Sequence, residues 1–227
     1  MLFGRNTSTE PPLPVVDWRD VGRFVIDIVE RESGPGRKRP VLGGNAIRVP
    51  RREGPVRVNP PCAFVGSGTV GVRDVGSVVH EDPERQRVLC RIDRVAGERR
   101  DEERRYVVRD AQDGVIGAVR RVPPSNKLVR HTWRIEQPGR PEIVGRNKWT
   151  ALPRQDVPAH ALGTLLGGVL DSALSLGAEE GDRPRERTLL WLADEVEVMQ
   201  STGQDFRIKA AWLDRRLAFA VACLADR

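Results

Sequence analysis

With 227 residues, 39% of them hydrophobic and 31% charged, the chain can bury a sizeable core and is too well patterned for global disorder. No apolar run reaches the about 18 residues of a spanning helix, and no N-terminal apolar segment precedes a cleavage-like site, so neither a membrane span nor a signal peptide is expected. Cys62, Cys90 and Cys223 are odd in number, widely spaced and form no CxxC pair, which argues against a disulfide framework or a zinc site and for a cytoplasmic protein.

Residues 1–16 carry Pro11, Pro12 and Pro14 and form a polar lead-in. Asp17 is placed to cap a helix from Trp18 to about Glu32, with Trp18, Val21, Val25, Ile28 and Val29 along one face. Ser33-Gly34-Pro35-Gly36 would stop it, and Arg37-Lys38-Arg39-Pro40 follows as a basic linker. The expected division is an N-terminal helical extension over residues 1–40 and a β domain over 41–227.

From Asn45 the hydrophobic period becomes two. Ile47, Val49, Val56 and Val58 alternate with polar residues across Pro50 and Gly54-Pro55. Strand-like runs follow at Ala63–Val72, Ser77–His80 and Arg87–Val95, and the charged block Glu98–Arg105 is expected as a solvated loop. Tyr106–Arg109 and Val115–Arg121 flank Asp113-Gly114, a pair suited to a tight hairpin turn. Leu128–Glu136 and Glu142–Trp149 make a second pair, and Thr188–Gln200 and Asp205–Ala211 add two further strands. So many short strands at regular spacing predict a sandwich or barrel.

Two helices interrupt this rhythm. Within residues 161–176, Leu162, Leu165, Leu166 and Val169 follow helical spacing, opposite a face of small and hydroxyl residues that includes Gly163 and Gly167. Two uses stay open for it: a lid or contact with a partner or second copy, and shallow insertion into lipid. At the end of the chain, Leu217–Ala225 is apolar on every side, which requires enclosure by protein, since the run is too short to span a bilayer.

The motifs do not assemble chemistry. Gly66-Ser67-Gly68-Thr69-Val70-Gly71 has dinucleotide-loop spacing, but glycine-broken, β-branched sequence follows where a helix must open. His80, His131 and His160 lie far apart, without partners at metal or triad spacing. No catalytic residue, metal or cofactor is therefore expected, and the chain is read as non-enzymatic.

Charge is concentrated. Between Val115 and Lys148 there are eight basic residues against Glu136 and Glu142, an excess equal to the whole chain's net charge of +6. Arg120, Arg121, Arg130 and Arg134 are the candidate anionic-ligand residues, with Arg130 and Arg134 on one strand face and Trp133 and Ile135 on the other. Such a face serves as an ordinary solvated wall or as a contact for an anionic lipid surface. Nucleic acid is disfavoured, because Trp133 and Trp149 are expected to be buried and leave no stacking platform.

The hairpin YVVRDAQDGVIGAVRR, the pair HTWRIEQPGRPEIVGRNKW and the ending DFRIKAAWLDRRLAFAVACLAD resemble the tubby C-terminal-like superfamily, which includes LURP-one-related and phospholipid-scramblase-like proteins. The resemblance covers Tyr106 to Arg227 and extends more loosely from Asn45. It implies a closed antiparallel β-barrel around a buried hydrophobic C-terminal helix. It also implies a scaffold or lipid-responsive binding protein, cytoplasmic and peripheral at the inner face of the membrane through its basic barrel face. The alternative is a structural or assembly protein whose two amphipathic helices bind another protein or a second copy.

Overall fold

A computed structural model describes residues 11–34, 38–66, 77–95, 103–123, 132–147 and 187–225. Fourteen strands occur among them: β1 (Arg23–Arg31), β2 (Val41–Arg48), β3 (Arg51–Glu53), β4 (Val56–Val58), β5 (Pro61–Val65), β6 (Ser77–His80), β7 (Val88–Arg94), β8 (Arg104–Arg109), β9 (Val115–Val122), β10 (Thr132–Glu136), β11 (Ile143–Asn147), β12 (Thr188–Ala193), β13 (Val196–Thr202) and β14 (Asp205–Ile208). Helix α1 (Arg215–Leu224) ends the described chain. Every strand pairing is antiparallel.

β1, β2 and β5 to β14 follow one another around a wall that closes where β14 pairs with β1, giving a twelve-stranded barrel. Closure gives each wall strand a neighbour on both sides, which removes the sheet edges an open arrangement would expose. β3 and β4 form a hairpin outside this ring, joined to it by β4 at Arg31, the last residue of β1.

The alternation that predicts the strands also fills the barrel. Phe24 and Ile26 on β1, Tyr106 and Val108 on β8, and Trp133 and Ile135 on β10 are all buried. Leu217 to Ala222 on α1 are six consecutive buried residues, and at about 100° per residue they cover the whole circumference of the helix. The helix is therefore enclosed as its all-round apolarity requires. Phe24 stacks on Phe206 at 5.0 Å and meets Phe219 edge-on at 4.9 Å, so one aromatic cluster joins β1, β14 and α1 at the seam of the barrel.

Two glycines create room for large neighbours. A Cβ at Gly117 on β9 would collide with the carbonyl oxygen of Glu136 and lie 3.1 Å from both terminal carbons of Leu217, so α1 packs directly on bare backbone there. At Gly145 on β11 the ring of Trp191 occupies the space of the missing side chain, and the indole N–H donates to Ser201 Oγ at 3.0 Å.

Side-chain hydrogen bonds fix how α1 enters. Asp214 caps it by accepting the backbone N–H of Arg216 at 2.9 Å. The side chain of Gln137, after β10, donates to the carbonyl of Trp212 and accepts the backbone N–H of Asp214, both at 3.0 Å. Arg215 donates to the carbonyls of Val21 at 3.1 Å and Leu213 at 2.6 Å. Trp18 packs beneath Arg216, whose guanidinium carbon lies 5.4 Å from the ring centroid, and its indole N–H reaches Glu81 at 3.2 Å.

The N-terminal expectation needs correction. Asp17 does cap, but only a three-residue 3-10 turn, Trp18–Asp20. The rest of the expected helix is β1, part of the barrel wall rather than a helical extension. Val25, Ile26, Ile28 and Val29 are β-branched, which costs χ1 freedom in a helix and suits a pleated wall. The buried residues are Phe24 and Ile26, at period two, whereas Ile28 of the predicted helical stripe is 46% exposed. Thr188–Gln200 is likewise not one strand but the hairpin β12–β13, turning through Asp194 and Glu195 at φ 47° and 64°.

Candidate anion-binding surface

The interior is occupied by α1, so the charged groups of interest lie on the outer wall and at its margins. Arg105, Arg120 and Arg134 are direct cross-strand neighbours on β8, β9 and β10, forming a transverse row. Three like charges side by side would repel one another. Carboxylates are interleaved with them: Arg120 meets Glu103 at 2.9 Å and Glu136 at 2.8 Å and also bonds Glu142. Arg134 meets Glu142 at 2.7 Å, and Arg105 meets Glu136 at 2.9 Å.

This network is neutral, three guanidinium groups against three carboxylates. The side chains of Arg120 and Arg134 are 24% and 37% exposed, so both sit on the wall without projecting freely. Burial lowers the pKa of Arg120, but hydrogen bonding to Glu142 and the charges of Glu136 and Glu103 outweigh it and leave a net upward shift. The arginine stays charged and engaged.

The three described candidate arginines do not share one face. Arg120 and Arg134 share the outer row. Arg121 is one position further along β9, on the opposite face, directly across from buried Trp133, with its guanidinium carbon 5.7 Å from the ring centroid. Arg130 lies outside the described residues, as do Leu162, Leu165, Leu166 and Val169 of the expected amphipathic helix and most of the glycine motif after Gly66. Of the two helices invoked for a protein partner, the first is strand β1.

A second basic region comes from residues whose grouping the charge pattern concealed. β1 has nine residues and β14 four; β14 pairs with Arg23 to Val25, and further along β1 the β3–β4 hairpin takes over, with Arg31 opposite Val58. Between them lies a groove of about 500 Å3. Its arginines are Arg23, Arg51, Arg52 and Arg57, and its acids are Asp27, Glu32 and Asp205.

Two of the acids are committed elsewhere. Asp205 receives two hydrogen bonds from Arg23, at 3.0 Å and 2.5 Å, and this bonding raises the pKa of Arg23. Asp27 accepts the backbone N–H groups of Ile28 at 2.6 Å and Val29 at 3.2 Å. Arg51, Arg52 and Arg57 are exposed and have no side-chain ion pair or hydrogen bond among the described residues. The turn Gly54-Pro55 between two short polar-apolar runs was the available signal for this hairpin; weighing charge over long segments hid its arginines.

Beside the groove, the 1% exposed Arg48 donates to the carbonyls of Asp27 at 2.9 Å, Asn59 at 3.0 Å and Gly44 at 2.8 Å. It ties β1, β2 and the approach to β5 together, so the groove has a rigid floor. Burial pushes the pKa of Arg48 down, partly opposed by the charge of Glu30.

Among the described residues no cluster of His, Cys, Asp and Glu has the arrangement to hold a metal ion. No helix among them is long and apolar enough to cross a membrane. The chain matches no protein-family model, no curated protein and no solved structure.

Proposed function

We propose that the chain is a non-enzymatic, tubby-like binding barrel that recognises anionic groups from its outer surface and attaches peripherally to anionic lipid. The supporting observation is the enclosure of α1: the barrel spends its interior on its own helix, and recognition is left to the wall and its margins. A closed twelve-stranded wall around such a helix is the architecture that the sequence resemblance implied. A net charge of +6 favours an anionic partner over a neutral one, and each basic residue held near an anionic bilayer contributes about 1 kcal/mol.

The outer row of Arg105, Arg120 and Arg134 is matched by its own carboxylates, so the reading places the lipid contact on basic residues outside that network. Flotation with vesicles of phosphatidylcholine alone and of phosphatidylcholine with phosphatidylserine tests it. Binding should require the anionic lipid and weaken as salt is raised. Wild-type protein that stays with the soluble fraction at low salt rejects the reading.

A further inference from the structure

We infer that Cys90 on β7 and Cys223 on α1 form a redox-sensitive pair, which peroxide converts to a disulfide that locks the helix to the barrel wall. This goes beyond the binding reading and does not depend on it.

The first support is the rotation of α1 inside the barrel. Leu217 rests on the bare backbone of Gly117 on β9, and Phe219 meets Phe24 on β1. Arg216 lies between these two directions on the helix and faces Trp18, whose indole N–H reaches Glu81 in the connection from β6 to β7. Cys223 follows Arg216 by seven residues, which at about 3.6 residues per turn returns it to within about 20° of the same direction. Cys223 therefore points at the sector of wall that holds β6 and β7. Cys90 is fully buried on that sector, directly across from buried Val79 of β6. α1 packs on β7, and Cys223 packs on the same core.

The second support is that the two sulfurs feel one another. Burial pushes the Cys90 thiol upward, and a charge on Cys223 pushes it further, ahead of the opposing pull of Arg216. The third is a difference in access. Cys90 is sealed inside the wall, whereas Cys223 is partly exposed near the C-terminal end of α1. Cys62 is the internal contrast: it is buried on β5 and its S–H donates to the carbonyl of Ile47 at 3.4 Å. Spacing along the chain hides the pair, because β7 and α1 meet only once the barrel is closed.

The difference in access orders the chemistry. Hydrogen peroxide reaches Cys223 first; its sulfur takes one peroxide oxygen to become a sulfenic acid, and one water leaves. The Cys90 sulfur then attacks that sulfur, the S–S bond forms, and the hydroxyl departs with the Cys90 proton as a second water. Two thiols lose two electrons and one peroxide gains them. The product ties the enclosed helix to the wall across β8 to β14, a long closed loop that restricts the unfolded chain.

Peptide mass spectrometry of the native protein after hydrogen peroxide tests the pair. Tryptic peptides 88–91 and 217–227 carry the two cysteines. They should appear joined, lighter than their sum by two hydrogens, and dithiothreitol should separate them. The oxidised protein should melt about 5–10 °C above the reduced one, and this gain should vanish with dithiothreitol. Cys223→Ser, at a partly exposed position, should keep the fold and lose both the linked peptide and the gain, whereas Cys62→Ala should keep both. Oxidation that stops at a sulfinic acid on Cys223, or joins Cys223 to a second copy, with Cys90 still alkylated after unfolding, overturns the pair. A link that forms only in denaturant, or no link at any peroxide concentration, also overturns it. A native link that leaves the melting temperature unchanged or lowers it rejects the lock.

Discussion

Phe219 is fully buried and meets Phe24 edge-on, whereas Leu224, the last residue of α1, is only half-buried. Truncation of Phe219 to Ala should therefore cost about 3–5 kcal/mol in denaturant unfolding, and Leu224→Ala clearly less. The thiols follow the same logic. Burial pushes Cys62 up to about 12 and Cys90 also upward, so neither supplies thiolate near neutral pH. Alkylation of both should be negligible in native protein and become fast only with unfolding, as followed by mass spectrometry of peptides containing each cysteine. Asp82 gives the acid side of stability. Its carboxylate accepts the backbone N–H of Arg87 at 2.8 Å and of Gln86 at 3.0 Å, which holds its pKa below the usual value. A depressed folded-state pKa stabilises above the unfolded value, about pH 4, and that contribution is lost as pH falls through the folded value. Asp82→Asn should melt below wild type at neutral pH, and the gap should close as both are taken below about pH 4.

At the scale of elements, strands of the second half were legible where one face is buried and the other wetter: β8 and β10 follow the alternation of Tyr106 and Val108, and of Trp133 and Ile135. β1 was not, because Val21, Val25, Ile28 and Val29 also satisfy helical spacing; the density of β-branched residues was the discriminating signal. The turn at Asp194-Glu195 was missed for a different reason: it has no glycine or proline, and two acidic residues adopt positive φ themselves. The sequence singled out Arg120 and Arg134, but neither the transverse row they form with Arg105 nor its neutralisation was legible. Glu142 lies beyond the turn from Arg134, and Glu103 reaches Arg120 only through the register of β8 against β9. Arg120 is therefore part of the wall's packing of charge. Arg120→Gln leaves Glu103, Glu136 and Glu142 close together without their shared cation, and should lower stability by about 1 kcal/mol, less at high salt. An unchanged melting temperature across salt concentrations would show that the network contributes nothing measurable.

For the whole molecule, α1 is to this barrel what a second sheet is to a sandwich: the apolar surface against which the wall is buried. Removal of residues 213–227 takes away Leu213, Leu217, Phe219 and Val221 together and exposes the inner faces of the strands. Such a truncation should aggregate or unfold without a cooperative transition, and a soluble form with a sharp melting transition would show that the wall stands without its helix.

That same arrangement orders events during synthesis. β1 leaves the ribosome before the other described strands, its partner β14 emerges after them, and α1 follows only then. Until that moment each hairpin can pair with its neighbour but has nothing apolar to settle on, and the seam partner of β1 does not yet exist. The nascent chain thus carries an open, sticky sheet from the synthesis of the first wall strands until α1 emerges, a state that invites holding chaperones and punishes slow elongation. A codon-level pause placed just ahead of Leu213 is where yield in the cell should be most sensitive, since it prolongs the stage with the largest unburied wall.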